Sequence, residues 1–223
     1  MSSSELAGAV IWVALFFLVS GPVHECAHAF AAWKLGDGTA KLFGRVTLNP
    51  VVHFDPVGGG LLLVSVLLNL VSGASGVGFG WAKPTPVNPY NLRGKHADSI
   101  VAAAGPISNL ALAIFFAIGF RFMFGQGYFP TNDTVPDMIT LVFLIGVQIN
   151  LVLMIFNLIP VAPLDGSHVL LDFVSPRQAM ELRAFMNQYG IMLLLVVVLL
   201  AGRVIGQVMA PIGNFLIGVP AFG

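Results

Sequence analysis

Charged residues are scarce in this chain, and their scarcity excludes most soluble folds. Only 9% of the 223 residues are charged, whereas a soluble domain carries about a quarter. Ten basic residues balance ten acidic ones, and no basic cluster predicts a nucleic-acid partner. The single cysteine, Cys26, excludes an intramolecular disulfide. Hydrophobic residues make up 57% of the chain, so the composition predicts an integral membrane protein.

Five apolar segments and a sixth, short one predict the membrane-embedded part of the chain. Four of the five are long enough to span a bilayer, which needs about 20 residues. The second is shorter and lies between glycine-rich stretches, so it is either a thin span or a re-entrant hairpin. In chain order the segments are 6–33, 57–71, 98–124, 136–159, the short 167–174, and 189–217.

Basic residues help to choose between a span and a hairpin at 57–71. If this segment re-enters, the basic residues before and after it lie together, as the positive-inside rule prefers. A tilted span stays open, because a few charges in a short loop do not force a topology. We favour the re-entrant hairpin, which places these residues together on the cytoplasmic side: Lys34, Lys41, Arg45, Lys83, Arg93 and Lys95.

Two short stretches of mixed polarity, 39–48 and 78–87, predict a small β element. The residues from Lys41 to Thr47 alternate in polarity as a strand does. Backbone at membrane depth must satisfy its hydrogen bonds, so we expect these strands to pair near the cytoplasmic face. The predicted fold is an all-α polytopic membrane protein with four to six transmembrane helices and a small β-strand or re-entrant element.

The first apolar segment carries an HExxH pattern, whose residue types and spacing both indicate a metal site. On a helix, His24 and His28 face the same side and can bind one Zn²⁺. Glu25, at the edge of that face, can take a proton from an attacking water. These polar side chains are costly in an apolar helix unless they pair, line water or bind metal.

HExxH leaves one ligand to be found, because a catalytic zinc usually has three protein ligands and one open position. Asp165 is the best candidate, since two prolines break the helix before it and a carboxylate at that depth needs a partner. An ordinary helix-capping aspartate is the alternative. His168, three residues further on, is a rival ligand. If the amino terminus lies outside, segments 6–33 and 136–159 both run inward and bring HExxH and Asp165 to similar depth.

Two further motifs follow HExxH along the chain. They are Gly105-Pro106-Ile107-Ser108-Asn109 and the run from Asn157 through Pro160 to Leu164-Asp165-Gly166. The three motifs in this order resemble the site-2 protease family of intramembrane zinc metalloproteases, and two connections, 44–56 and 80–89, resemble a compact prokaryotic branch of it. The resemblance covers roughly 23–172. We therefore expect a single membrane-embedded metalloprotease domain, 1–223, without a PDZ or CBS domain.

The resemblance implies one zinc ion per chain, with ligands His24, His28 and Asp165 and with Glu25 as general base and acid. It implies hydrolysis of peptide bonds in transmembrane protein substrates, as in regulated intramembrane proteolysis. It also implies a multi-pass protein of a prokaryotic cell membrane, and the distribution of basic residues predicts that the active site faces the cytoplasm.

Two asparagines, Asn157 and Asn109, have side-chain amides that could bind the substrate backbone or the developing oxyanion. Their alternative is an interhelical hydrogen bond, which polar residues in membrane helices often make. Two other functions stay open for the chain: a metal or ion transporter that uses the buried His and Asp, and an inactive adaptor that binds membrane helices. The intact Glu25 argues against an adaptor, which needs no general base.

Overall fold

The computed structural model describes residues 3–72, 78–125 and 134–222, and the regular structure within them is helical. A π-helical turn, Phe16–Ser20, joins the first two helices, and a 3-10 turn covers Pro89–Asn91. The helices are α1 (Ser3–Leu15), α2 (Gly21–Lys34), α3 (Thr39–Leu42), α4 (Pro50–His53), α5 (Pro56–Ser72), α6 (Ala97–Gly125), α7 (Thr134–Asn157), α8 (Asp165–Phe173) and α9 (Pro176–Ile217).

Within the described parts of the chain, four helical stretches are long and apolar enough to cross a membrane. They are Glu5–Lys34, Ala97–Met123, Met138–Asn157 and Pro176–Val198. The first three match the predicted segments 6–33, 98–124 and 136–159, which confirms the all-α polytopic fold class. The last prediction, 189–217, begins too late, because α9 is continuous from Pro176, where Ser175 and Gln178 form a capping box.

The π-helical turn lies one turn before the HExxH motif on α2. Pro22 has no N–H with which to continue the regular helical pattern. The N–H of Gly21 donates instead to the carbonyl oxygen of Phe16, five residues back. A Cβ at Gly21 would lie 2.9 Å from that oxygen, so glycine is the residue that fits. Gly21 and Pro22 together therefore set the entry of the chain into α2.

Helix α6 is central to the bundle and packs against α2, α7, α8 and α9. Close packing with α7 depends on two glycines. A Cβ at Gly119 would lie 2.2 Å from the ring of Phe143, and one at Gly146 would lie 2.4 Å from the ring of Phe116. Small residues that admit a neighbouring side chain are a common basis of helix packing in membranes. Close packing of α6 and α7 thus holds the side chains between them in place.

The chain between α2 and α6 begins and ends at the same place. The N–H of Arg93 donates to the carbonyl oxygen of Leu35, just past the end of α2, at 2.7 Å. In between, α5 packs against α1 and extends for 17 residues, about 26 Å at ~1.5 Å per residue. Residues 78–81 return along α5, and a Cβ at Gly80 would lie 2.5 Å from the carbonyl oxygen of Gly58. The predicted second segment is therefore the outgoing arm of a hairpin.

The prediction of a small β element is wrong, because the described residues contain no strand. The first stretch, 39–48, begins with the helical turn α3, and Gly44 then has a φ of 69°, in the left-handed region. The second stretch, 78–87, forms no ladder, since Pro84 and Pro86 lack an N–H. Seven alternating residues are too few to distinguish a strand from a helical turn followed by a loop.

Candidate metal centre

Three side chains that are far apart in sequence meet beside α6. His24 and His28 lie on α2, and their Nε2 atoms are 3.0 Å apart. Asp165, the first residue of α8, places its Oδ2 at 3.3 Å from His24 Nε2 and 3.4 Å from His28 Nε2. This is the one group of three or more His, Cys, Asp or Glu residues able to hold a metal ion in the described part of the chain. The structure thus brings the three predicted ligands together.

Both histidines present Nε2 to this cluster because Nδ1 is occupied elsewhere. His28 Nδ1 lies 2.8 Å from the carbonyl oxygen of Val101, which can only accept a hydrogen bond. The proton of a neutral His28 is therefore on Nδ1, and its Nε2 carries a lone pair. His24 Nδ1 lies 2.6 Å from Oδ1 of Asn109, and the same reasoning applies there.

The donor set fits zinc. Two Nε2 lone pairs and one carboxylate oxygen face one another, and Asp165 Oδ2 is buried without a hydrogen bond in the described structure. Three acceptors at such distances repel one another unless a cation lies between them, and their burial removes the water that would otherwise compensate. Two imidazoles and a carboxylate are a ligand set that catalytic zinc uses.

Gly105 provides the space for this cluster on the α6 side. A Cβ at this position would lie 2.3 Å from His28 Nε2 and 2.6 Å from His24 Cε1. No side chain could be accommodated there without displacing the imidazoles. The glycine of the Gly-Pro motif therefore lets the α6 backbone lie directly against both histidines.

The N-terminal end of α8 is built around Asp165. The helix begins with this residue, and no side chain caps it. The alternative prediction, a capping aspartate, is thus not what is observed. A Cβ at Gly166 would lie 2.3 Å from the carbonyl oxygen of Leu158, so the turn between α7 and α8 folds tightly against the helix start.

Two histidine–aspartate pairs fasten α8 to the start of α6. His96 Nδ1 lies 2.7 Å from Asp172 Oδ2, which also accepts a hydrogen bond from Ser99. His168 Nδ1 lies 3.0 Å from Asp98 Oδ2. The hydrogen bond from Ser99 and then that from His96 lower the pKa of Asp172, and the bond to Asp98 raises the pKa of His168. His168, the predicted rival ligand, is thus engaged with α6.

The returning arm of the hairpin, residues 78–87, binds Glu25. The N–H of Thr85 donates to Glu25 Oε2 at 2.8 Å, and Thr85 Oγ1 donates to the Glu25 carbonyl oxygen at 2.9 Å. Thr85 lies between Pro84 and Pro86, so it has the one N–H of this three-residue stretch. Sequence reasoning missed Thr85, although an isolated N–H between two prolines is a recognisable signal.

The two predicted asparagines have different surroundings. Asn109 is fully buried, and both groups of its amide are engaged, Oδ1 with His24 and Nδ2 with Asn150 Oδ1 at 3.0 Å. Asn157 donates Nδ2 to the carbonyl oxygen of Leu153 in its own helix at 2.9 Å. Asn150 was missed by sequence reasoning, although an amide in the middle of an apolar span is costly and so a signal.

The chain is similar in sequence to known proteins. The model of peptidase family M50 matches residues 132–201, which include Asp165. "Putative zinc metalloprotease YwhC" of Bacillus subtilis (strain 168) is 40% identical over 191 residues, covering 83% of this chain and 78% of that protein. The chain belongs to peptidase family M50. "Putative zinc metalloprotease Rip2" of Mycolicibacterium smegmatis is 34% identical over 194 residues, 86% of this chain and 68% of that protein. "Putative zinc metalloprotease Rip2" of Mycobacterium tuberculosis (strain ATCC 25618 / H37Rv) is 30% identical over 197 residues, 86% of this chain and 68% of that protein.

As an M50 peptidase of the site-2 protease family, the chain is an intramembrane zinc metalloprotease and hence a metalloendopeptidase. This family assignment confirms the predicted family and function. The four apolar helices found in the described part of the chain agree with an integral membrane protein. No solved structure gives a significant match to this M50 peptidase.

Proposed function

We propose that this M50 peptidase holds one zinc ion per chain through His24, His28 and Asp165. The observation that carries the proposal is the convergence of two Nε2 lone pairs and an unpaired carboxylate oxygen within 3.4 Å of one another. When bound, zinc supplies a Lewis acid that polarises the scissile carbonyl and makes water more acidic.

Glu25 moves the protons of the reaction. Its carboxylate accepts a proton from the attacking water and returns it to the leaving amine. The N–H of Thr85 fixes Oε2 of this carboxylate, so the group is oriented before substrate arrives. The second carboxylate oxygen, Oε1, is left to exchange the proton. Preorganisation of this kind removes the cost of turning the base during the reaction.

Transmembrane proteins are the proposed substrates, because HExxH lies within the span Glu5–Lys34. Asn157 remains a proposed contact to the substrate backbone or the oxyanion, since its bond to Leu153 uses Nδ2 and leaves Oδ1. Asn109 is fully buried, and its Oδ1 and Nδ2 contact His24 and Asn150. We therefore assign Asn109 the orientation of His24 instead.

The proposed orientation places the metal centre toward the cytoplasm of a prokaryotic cell membrane, in a single membrane-embedded domain, 1–223. The hydrogen bond between Leu35 and Arg93 supports a re-entrant α5, because both ends of the hairpin then lie on one side. The positive-inside rule makes that side cytoplasmic. The basic residues in and next to the hairpin are Lys34, Lys41, Arg45, Lys83, Arg93 and Lys95.

The ligand set is tested by the zinc content of purified full-length protein. We expect one zinc per chain in the wild type and close to none in Asp165→Ala, because two histidines alone hold zinc weakly. Glu181→Ala is the matched control, since it removes an exposed carboxylate on α9 that pairs with Arg177. Wild-type zinc content in Asp165→Ala would contradict the proposed ligand.

A further inference from the structure

Asn150 is a polar residue in the interior of α7 that the chemistry described so far does not use. It is fully buried within the apolar span Met138–Asn157. Its Nδ2 donates to the carbonyl oxygen of Gly146 at 2.8 Å, and its Oδ1 accepts from Asn109 Nδ2 at 3.0 Å. A primary amide at this depth needs both partners to offset the cost of its burial.

These hydrogen bonds form a series from Gly146 to His24, and the Gly146 carbonyl oxygen determines which atom donates and which accepts at each step. The carbonyl oxygen of Gly146 can only accept, so Asn150 must turn its Nδ2 toward it and its Oδ1 toward Asn109. Asn109 must then present Nδ2 to Asn150 and Oδ1 to His24. An Oδ1 beside His24 Nδ1, at 2.6 Å, requires that Nδ1 carry the proton. The lone pair of His24 is thereby confined to Nε2, which faces Asp165.

A comparison with His28 shows how these hydrogen bonds set the tautomer of His24. Its Nδ1 donates directly to a backbone carbonyl oxygen, that of Val101, which fixes the same tautomer without an intermediary. Among the residues that the structure describes, no such carbonyl is hydrogen-bonded to Nδ1 of His24. His24 reaches one only through two asparagines, on α6 and on α7.

We propose that Asn150 is a positioning residue for the metal centre, which acts through Asn109 to hold His24 in the tautomer that can bind zinc. The inference rests on the proposed function, since it takes His24 to be a zinc ligand. Partners of metal-bound histidines that lie outside the ligand set commonly change metal affinity by about 10- to 100-fold. Asn150 is one bond further out and contacts neither metal nor substrate.

The test is a zinc titration against a competing chelator, with full-length protein in detergent. We expect Asn150→Leu and Asn109→Leu each to weaken zinc binding by about 10- to 100-fold. The double variant should bind zinc no more weakly than Asn109→Leu alone, because Asn150 acts only through Asn109. A merely structural role would instead give losses that add.

Two controls keep the outcomes distinct. Leu151→Ala removes a fully buried side chain from the same helix and should lower thermal stability without changing zinc affinity. If Asn150→Leu does not fold, Asn150→Ala replaces it in both the single and the double variant. Wild-type zinc affinity in the Asn150 variant, or additive losses in the double variant, would overturn the positioning role while leaving the ligand set intact. Wild-type affinity in His24→Ala would overturn the ligand set and the positioning role together.

Discussion

Among single residues, Gly105 controls how closely α6 approaches the metal centre. Gly105→Ala would place a methyl group 2.3 Å from His28 Nε2, far inside van der Waals contact. We expect this variant to lose most of its zinc, and to lose about 1–3 kcal/mol of stability through overpacking. Zinc per chain and the melting temperature measure the two effects. Gly60→Ala is the control, because a Cβ there meets nothing within 4 Å. A Gly105→Ala protein with wild-type zinc content would contradict the close approach.

Thr85 offers a second test at this scale, directed at the general base. Thr85→Val keeps the N–H bonded to Glu25 Oε2 but loses the hydroxyl bond that fastens the segment to α2. One lost hydrogen bond of about 1 kcal/mol corresponds to a fall in kcat of about fivefold. We expect zinc content and KM to stay unchanged, and Thr85→Ser to restore kcat. A raised KM with an unchanged kcat would show that this segment binds substrate and does not position the base.

Residue chemistry was predictable from the sequence where one motif carried it. HExxH predicts two ligands and a base from its residue types and spacing, and Asp165 was predicted as the third ligand because helix-breaking prolines precede it. Local patterns mark Gly105 and Asn150 but do not reveal their contacts, which are made between α2, α6 and α7. Their roles emerge only when the packing of three helices is known.

Among the elements, the hairpin between α2 and α6 depends on Asp37. This fully buried carboxylate lies in the α2–α3 connection and accepts hydrogen bonds from Thr39 at the start of α3 and from Asn88 and Asn91 before α6. Burial alone would raise the pKa of Asp37, but the bonds from Thr39, Asn88 and Asn91 outweigh it and lower that pKa. The charged carboxylate is thus the form that holds the two segments together.

The stability contributed by Asp37 should therefore fade in acid. Because its folded pKa lies below the ordinary 3.8, the contribution is complete above that value and is lost as the pH falls through the folded pKa. We expect Asp37→Asn to be less stable than wild type by about 1–3 kcal/mol at neutral pH. Melting temperatures measured down the pH scale should converge in acid. A difference that widens as the pH falls would contradict this role.

Hydropathy located the membrane helices but not all of their ends. The start of α9 was missed because Arg177, Glu181 and Arg183 dilute the apolar pattern there, although the capping box at Ser175 marks the helix start. The prediction of a β element was wrong for a different reason. The N–H groups of the returning arm bond singly to partners such as Ser65, His53 and Glu25, a set of tertiary contacts that polarity alternation does not reveal.

At the scale of the whole molecule, the hairpin places the C-terminal end of α2 and the N-terminal end of α6 on the same side of the membrane. Leu42 lies before α5 and is 90% exposed, and Tyr90 lies after it and is 98% exposed. In a Cys26→Ala background, we expect Leu42→Cys and Tyr90→Cys to react with an impermeant thiol reagent from the same, cytoplasmic side. Labelling of the two positions from opposite sides would show that α5 spans the membrane.

The whole account depends on a zinc site that four helices assemble from residues far apart in sequence. Its most direct test compares wild type with Glu25→Gln in proteoliposomes, by zinc per chain and by cleavage of a model transmembrane peptide. We predict one zinc per chain in both proteins and a rate in Glu25→Gln lower by about 10²- to 10⁴-fold, the usual contribution of a general base. Cleavage at the wild-type rate by Glu25→Gln, or loss of its zinc, would contradict the separate roles of ligands and base.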